Sequence, residues 1–202
     1  MLMKSRIIFD LGDVLIDINA RRALTELSKS CRAEEASVFS FFLSPTHLKF
    51  MSGQLSPEEF YCIFAQNYRF SLNFSGFFEI WNHILGPVKK DMPPLIRQLK
   101  MKGYVLLLCS NTDPVHFQYV NENYSIMRSF QRFYLSFQIG RNKPDPEIFR
   151  QILKREDVAA SECLFIDDSA ANIRAARSLG FQGIRMKSPA QLGKELDKLK
   201  IL

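Results

Sequence analysis

Apolar residues along this chain fall into two kinds of run. Ile7–Phe9, Tyr104–Cys109, Phe133–Phe137, Cys163–Ile166 and Gly183–Met186 are short, nearly unbroken apolar stretches. Runs of that length predict strands buried on both faces of a parallel sheet. Between them the apolar positions recur every three to four residues, the spacing of one helix face. This predicts helices over 91–99, 114–123, 146–154 and 170–179, and a last one opening at Ser188-Pro189. Gly103 and Gly180 stand where helices stop. Strands alternating with helices imply a mostly parallel sheet covered on both sides.

Residues 19–87 read differently. Asn19 caps a helix with apolar positions 20, 23, 24, 27 and 31, and further helices are expected over 33–43, 45–51, 57–68 and 77–85. Ser56-Pro57-Glu58-Glu59 has the form of a capping box with proline at the first helical position. No strand is expected in this segment. It holds 13 of the 25 aromatic residues, enough to fill the core of a small helical bundle. The reading is therefore an α/β core, residues 1–18 and 88–202, with a helical domain, residues 19–87, inserted after the first strand.

Composition narrows the function classes. With 202 residues, 47% hydrophobic and 24% charged, the chain is an ordinary globular protein. No apolar run is long enough to span a membrane, and the N-terminus lacks a secretory signal pattern. The net charge is +6, yet residues 19–87 are neutral, with six basic and six acidic residues. No basic run is interleaved with aromatics, so neither nucleic acid nor membrane is expected as a partner. The four cysteines, at 31, 62, 109 and 163, follow no metal-binding spacing and read as reduced thiols of a cytoplasmic protein.

The candidate chemistry lies at strand ends, where open α/β sheets bind ligands. Asp10-Leu11-Gly12-Asp13 ends the first strand. Ser110-Asn111-Thr112 follows the second. Lys143-Pro144-Asp145-Pro146 follows the third, and Asp167-Asp168-Ser169 the fourth. Each alone could be a turn or a helix cap. Together they bring carboxylates, a hydroxyl and one lysine to a single crevice.

In that order and spacing these clusters resemble the four motifs of the haloacid dehalogenase-like hydrolase superfamily. The likeness is closest to its phosphatases with a small helical cap, such as the glucose-1-phosphate phosphatase-like members. It implies a Rossmann-like sheet with the first strand central. It also implies Asp10 as nucleophile, Lys143 as the neutralising cation, and Ser110 and the Asn111 amide as phosphate ligands. Mg²⁺ would be held by Asp10, the Gly12 carbonyl, Asp167 and Asp168. Asn172 is expected to be structural and Arg141 solvated; His47, His83 and His116 share no spacing and receive no role. The substrate implied is a small phosphorylated metabolite, such as a sugar phosphate, and the protein a monomer or homodimer.

One position departs from the resemblance. Most phosphatases of this superfamily carry a second aspartate two residues after the nucleophile, as a proton donor; here that position is Gly12. A leaving group that needs little protonation, a proton supplied by Asp13, or a scaffold that binds phospho-ligands without turning them over would each account for it. A metal-free haloacid dehalogenase is a further reading, opposed by the paired Asp167 and Asp168.

Overall fold

A computed structural model describes residues 5–31 and 33–202; Met1–Lys4, within the expected core segment, and Arg32 lie outside the described residues. The chain runs β1 (Arg6–Phe9), β2 (Ile16–Ile18), then α1 (Ala20–Cys31), α2 (Glu35–Phe42), α3 (Pro45–Met51), α4 (Pro57–Tyr68) and α5 (Phe74–Asn82). It continues with β3 (Leu85–Val88), α6 (Met92–Met101), β4 (Val105–Ser110), α7 (Pro114–Asn123), β5 (Arg132–Leu135) and α8 (Ser136–Ile139). Last come α9 (Pro146–Glu156), β6 (Cys163–Asp167), α10 (Ala170–Ser178), β7 (Gln182–Arg185) and α11 (Pro189–Lys198).

Five strands form one parallel sheet in the order β5-β4-β1-β6-β7, so the first strand is central. Its register aligns Phe9 with Leu108 on one side and Ile166 on the other. The strand ends of β1, β4 and β6 therefore lie level, and the residue after each enters one crevice. The unbroken apolar runs follow from burial of both faces. Ile7, Phe9, Leu106, Leu108, Leu164 and Ile166 pack on one side, under α6, α7 and α11. Ile8, Leu107, Cys109, Cys163 and Phe165 pack on the other, under α9 and α10.

Helices α1–α5 gather around a separate cluster built from Leu27, Val38, Phe41, Phe50, Phe60, Phe64, Phe77 and Trp81. Its rings pack at centroid separations of 4.1 Å (Phe50 on Phe60), 4.9 Å (Phe64 on Phe77) and 5.1 Å (Phe60 on Trp81). Both expected caps form. Asn19 Oδ1 accepts from the Arg22 backbone N–H at 3.2 Å. Ser56 and Glu59 complete the capping box, with bonds of 3.1 and 2.7 Å.

Two local expectations are corrected. The helix expected to reach Leu85 ends at Asn82, and Leu85–Val88 is a strand paired antiparallel with Ile16–Ile18. This two-stranded ribbon sits where the chain leaves for the helical segment and returns from it. The strand expected over 133–137 covers Arg132–Leu135: its last partner is Ser110, where β4 ends, and the chain then turns into α8 with the Ser136 hydroxyl accepting from the Thr112 N–H at 2.9 Å.

Candidate active site

Asp10 follows β1 directly. Its backbone N–H continues the sheet to the Ile166 carbonyl at 2.9 Å, and its Oδ1 accepts from the Leu11 N–H at 2.7 Å. Lys143 reaches the same oxygen at 2.8 Å, Asp167 Oδ2 at 2.7 Å and the Cys109 carbonyl at 2.8 Å. The ammonium therefore links three adjacent strand ends. It also lies 5.5 Å from the Phe165 ring centroid, within cation–π range.

Asn111 fixes the backbone of that lysine. Its Oδ1 accepts from the Lys143 N–H at 2.7 Å, and its Nδ2 donates to the Lys143 carbonyl at 2.8 Å. Asp167 is fully buried. Its Oδ1 accepts from the Ser169 N–H at 2.8 Å, and the Asn172 amide donates to both carboxylate oxygens at 3.0 Å. Asn172 thus positions an acidic residue. Arg141 is exposed and pairs with Asp145 at 3.5 Å.

Among the described residues, Asp10, Asp167 and Asp168 each offer an oxygen, and these oxygens lie within 4.8 Å of one another. Their electrostatics match that crowding. Burial, reinforced by Asp167 and opposed by Lys143, pushes Asp10 up to about 6. Burial, Asp167 and Asp13 raise Asp168 above the ordinary carboxylate range. Burial works against the Lys143 ammonium, but Asp10 and Asp167 outweigh it and hold its pKa above the ordinary lysine value. Three carboxylates against one ammonium leave a surplus of negative charge, which suits a hard divalent cation with oxygen ligands.

These groups open into a cavity of about 250 Å³. Asp10, Gly12, Ser110, Asn111, Lys143 and Asn172 form one end of it. Phe42, Met51 and Trp81 from the helical segment, with Ile18, Ile84 and Leu85 from the ribbon and its approach, form the other. Asp13 is not part of the lining. It is exposed, has φ 54°, and its Oδ1 accepts from the Ile18 N–H at 3.4 Å.

Two histidines that spacing left without a role also line the cavity. His116 Nδ1 lies 2.6 Å from Asp113 Oδ2, and its Nε2 donates to the Trp81 carbonyl at 2.9 Å. Both partners accept, so the ring carries both protons. Burial disfavours its charge, yet Asp113 more than compensates and raises its pKa. His47 donates through Nδ1 to the Phe42 carbonyl at 2.7 Å. Neither histidine received a role from sequence: His116 does stand three residues after its partner Asp113, but the Phe42 and Trp81 carbonyls that fix the two rings leave no trace in spacing.

A family model for haloacid dehalogenase-like hydrolases matches residues 5–180. The chain is 28% identical over 201 residues to a D-ribitol-5-phosphate phosphatase of Bacteroides thetaiotaomicron, covering 96% of this chain and 97% of that one. It is 26% identical to a sesquiterpene phosphatase of Aspergillus oryzae, covering 95% and 94%. Among solved structures, an enzyme of B. thetaiotaomicron in complex with magnesium and inorganic phosphate superimposes with a TM-score of 0.82 at 27% identity, covering 91% of this chain and 94% of that one.

Proposed function

The chain belongs to the haloacid dehalogenase-like hydrolase family, and on that premise we propose that it is a Mg²⁺-dependent phosphatase of a small phosphate monoester. The observation that carries this reading is the convergence of Asp10, Lys143, Asp167 and Asp168 at level strand ends. The magnesium and phosphate bound by the similar B. thetaiotaomicron enzyme support it.

In this reading Asp10 attacks phosphorus, the bond from phosphorus to the leaving oxygen breaks, and water then hydrolyses the aspartyl-phosphate. Oδ1 already takes bonds from Leu11 and Lys143, which leaves Oδ2 uncommitted as the attacking atom. Lys143 neutralises charge shared by nucleophile and phosphate. Ser110 Oγ and the Asn111 N–H hold phosphoryl oxygens; the Asn111 side chain is spent on positioning Lys143. Mg²⁺, held by Asp10, the Gly12 carbonyl, Asp168 and Asp167, would offset the repulsion between a carboxylate and a phosphate dianion. Catalysis of this kind rests on placement and electrostatics.

Residues 19–87 act as a cap over a core formed by 1–18 and 88–202, shielding the site from water and contributing the far wall of the cavity. Gly12 supplies no acid and Asp13 does not line the cavity, so the leaving group departs with little protonation. An anomeric sugar phosphate meets that condition; the name of one relative, a D-ribitol-5-phosphate phosphatase, supports a polyhydroxylated carbon skeleton and does not bear on the anomeric position. The spacing of the cysteines, at 31, 62, 109 and 163, supports a cytoplasmic enzyme, which we take to be a monomer or homodimer.

The test is a panel of phosphate esters assayed with Mg²⁺ and with chelator, on the wild type and Asp10→Asn. Turnover should require the metal and fall by about a thousandfold or more in the variant. Comparable turnover by Asp10→Asn would overturn the mechanism.

A further inference from the structure

The far wall of the cavity offers a ligand few polar atoms. Both ring nitrogens of His116 are engaged, by Asp113 and by the Trp81 carbonyl. The Thr112 hydroxyl donates to the Asp113 carbonyl at 3.4 Å. His47 is different. Its Nδ1 faces the Phe42 carbonyl at 2.7 Å, and a carbonyl can only accept, so Nδ1 carries the proton. That settles the tautomer and leaves Nε2 as a lone pair, with no partner among the described contacts. Burial, helped by His116 and opposed by the Phe42 carbonyl and Asp113, holds the ring below its ordinary pKa. At neutral pH the ring is uncharged, and its Nε2 can only accept.

The ring is also firmly placed. Its edge meets Trp81 at a centroid separation of 5.6 Å, and Phe42 lies at 5.7 Å. The Ser44 hydroxyl caps α3 by accepting the His47 N–H at 3.3 Å. The next residue ties the helix to the catalytic end: the Leu48 carbonyl accepts from Asn142 Nδ2 at 3.3 Å, one residue from Lys143. At the end of α3, the Met51 carbonyl accepts from the Ser136 hydroxyl at 2.5 Å. An acceptor on a residue that lines a mostly apolar wall, and is held in register with Lys143, is a device for reading one donor on the ligand.

We propose that His47 is a specificity-determining residue, whose Nε2 accepts a hydrogen bond from a hydroxyl on the leaving alcohol while Phe42 and Trp81 pack against its carbon skeleton. The substrate class is a hydroxylated phosphate monoester with an apolar face, as in a sugar or deoxysugar phosphate. The inference rests on the phosphatase reading and adds to it the group that recognises the alcohol.

The experiment compares phenyl phosphate, whose leaving group needs little protonation, with its ortho-, meta- and para-hydroxymethyl derivatives, on wild type, His47→Phe and His47→Gln, with Asp10→Asn as background. In the wild type, one positional isomer should exceed phenyl phosphate in kcat/KM by about tenfold. That preference should collapse to within about twofold in His47→Phe. It should partly persist in His47→Gln, whose Oε1 can accept. Thermal unfolding of each variant shows whether it is folded; if His47→Phe is not, the wild-type series and His47→Gln decide. Asp10-dependent turnover with no preferred isomer, or a preference that survives in folded His47→Phe, overturns this inference and leaves the phosphatase reading intact. No Asp10-dependent turnover of any ester overturns both.

Discussion

A β-carbon placed on Gly12 would lie 3.1 Å from Ile18 Cγ1 and 3.3 Å from its Cδ1. Those separations are tighter than ordinary packing, so the space that an acid side chain would need is held by Ile18. Gly12 has no left-handed φ, and contact rather than backbone strain decides the cost. Gly12→Asp is expected to destabilise the fold by about 1–3 kcal/mol, the usual range for overpacking. The cost should shrink in an Ile18→Ala background. The added carboxylate also crowds Asp10 and Asp168, but that term is common to both backgrounds, so a double-mutant cycle in denaturant isolates the packing. Equal costs in the two backgrounds would show that Ile18 does not guard the position. The absence of the aspartate was legible in the sequence. The residue that fills its place was not, because Ile18 reaches Gly12 only through the turn at residues 12–16.

The same division between local and distant partners holds at the start of α7. Asp113 precedes the helix expected over 114–123, and its Oδ1 accepts from the N–H groups of Val115 and His116, each at 2.9 Å. Its Oδ2 takes the Trp81 indole at 3.1 Å, a bond that joins the helical segment to the core and leaves no trace in spacing, and the ring of His116 three residues on. The pair makes stability pH-dependent in a defined direction. His116 is raised above its ordinary value near 6.5, so its stabilisation is complete below that pH and is lost as pH rises through the folded value. Burial opposes the Asp113 charge, but His116 overcomes it and holds Asp113 below 3.8; its stabilisation is present above that pH and is lost on acidification below it. Asp113→Asn removes the counter-charge and leaves His116 governed by burial, which lowers its pKa. Two results are expected from denaturant unfolding between pH 5 and 9. The variant should lose about 3–5 kcal/mol at pH 6, typical of a broken buried pair. Its residual stability should rise with pH up to about 6.5, where that of the wild type begins to fall. Parallel pH profiles would refute the ion pair.

Across the whole molecule, the sheet was the legible part. Its five strands are buried on both faces, which forces unbroken apolar runs, and the polar clusters at their ends follow from where such strands stop. The helical segment was legible through its caps and ring content. The ribbon of β2 and β3 was not: Ile16–Ile18 alternates over only three residues, too few to signal a strand, and Leu85–Val88 carries Gly86 and Pro87, both depleted in strands. Yet this ribbon sets how the helical segment sits on the core. Lys89 pairs with Asp17, the Tyr124 hydroxyl donates to the Gly86 carbonyl at 2.8 Å, and the Asn19 N–H donates to the Ile84 carbonyl at 2.7 Å. A β-carbon on Gly86 would come within 2.8 Å of the Asp17 carbonyl oxygen and 3.2 Å of its carbon, backbone atoms that cannot swing aside. Gly86→Ala should therefore displace the ribbon and, with it, Trp81 and His47 relative to Asp10 and Lys143. Displacement on the ångström scale costs rate as well as stability, because orientation contributes to the barrier. The expected result is a fall of about a hundredfold in kcat/KM for the best ester of the panel. Acetyl phosphate, too small to reach the far wall, should be affected less. Gly193→Ala, whose new methyl meets nothing within 4 Å on α11, serves as the comparison and should leave both rates unchanged. An equal fall for both substrates in Gly86→Ala would place the damage in the core. A rate unchanged for both would mean that the ribbon does not set the geometry of the cavity.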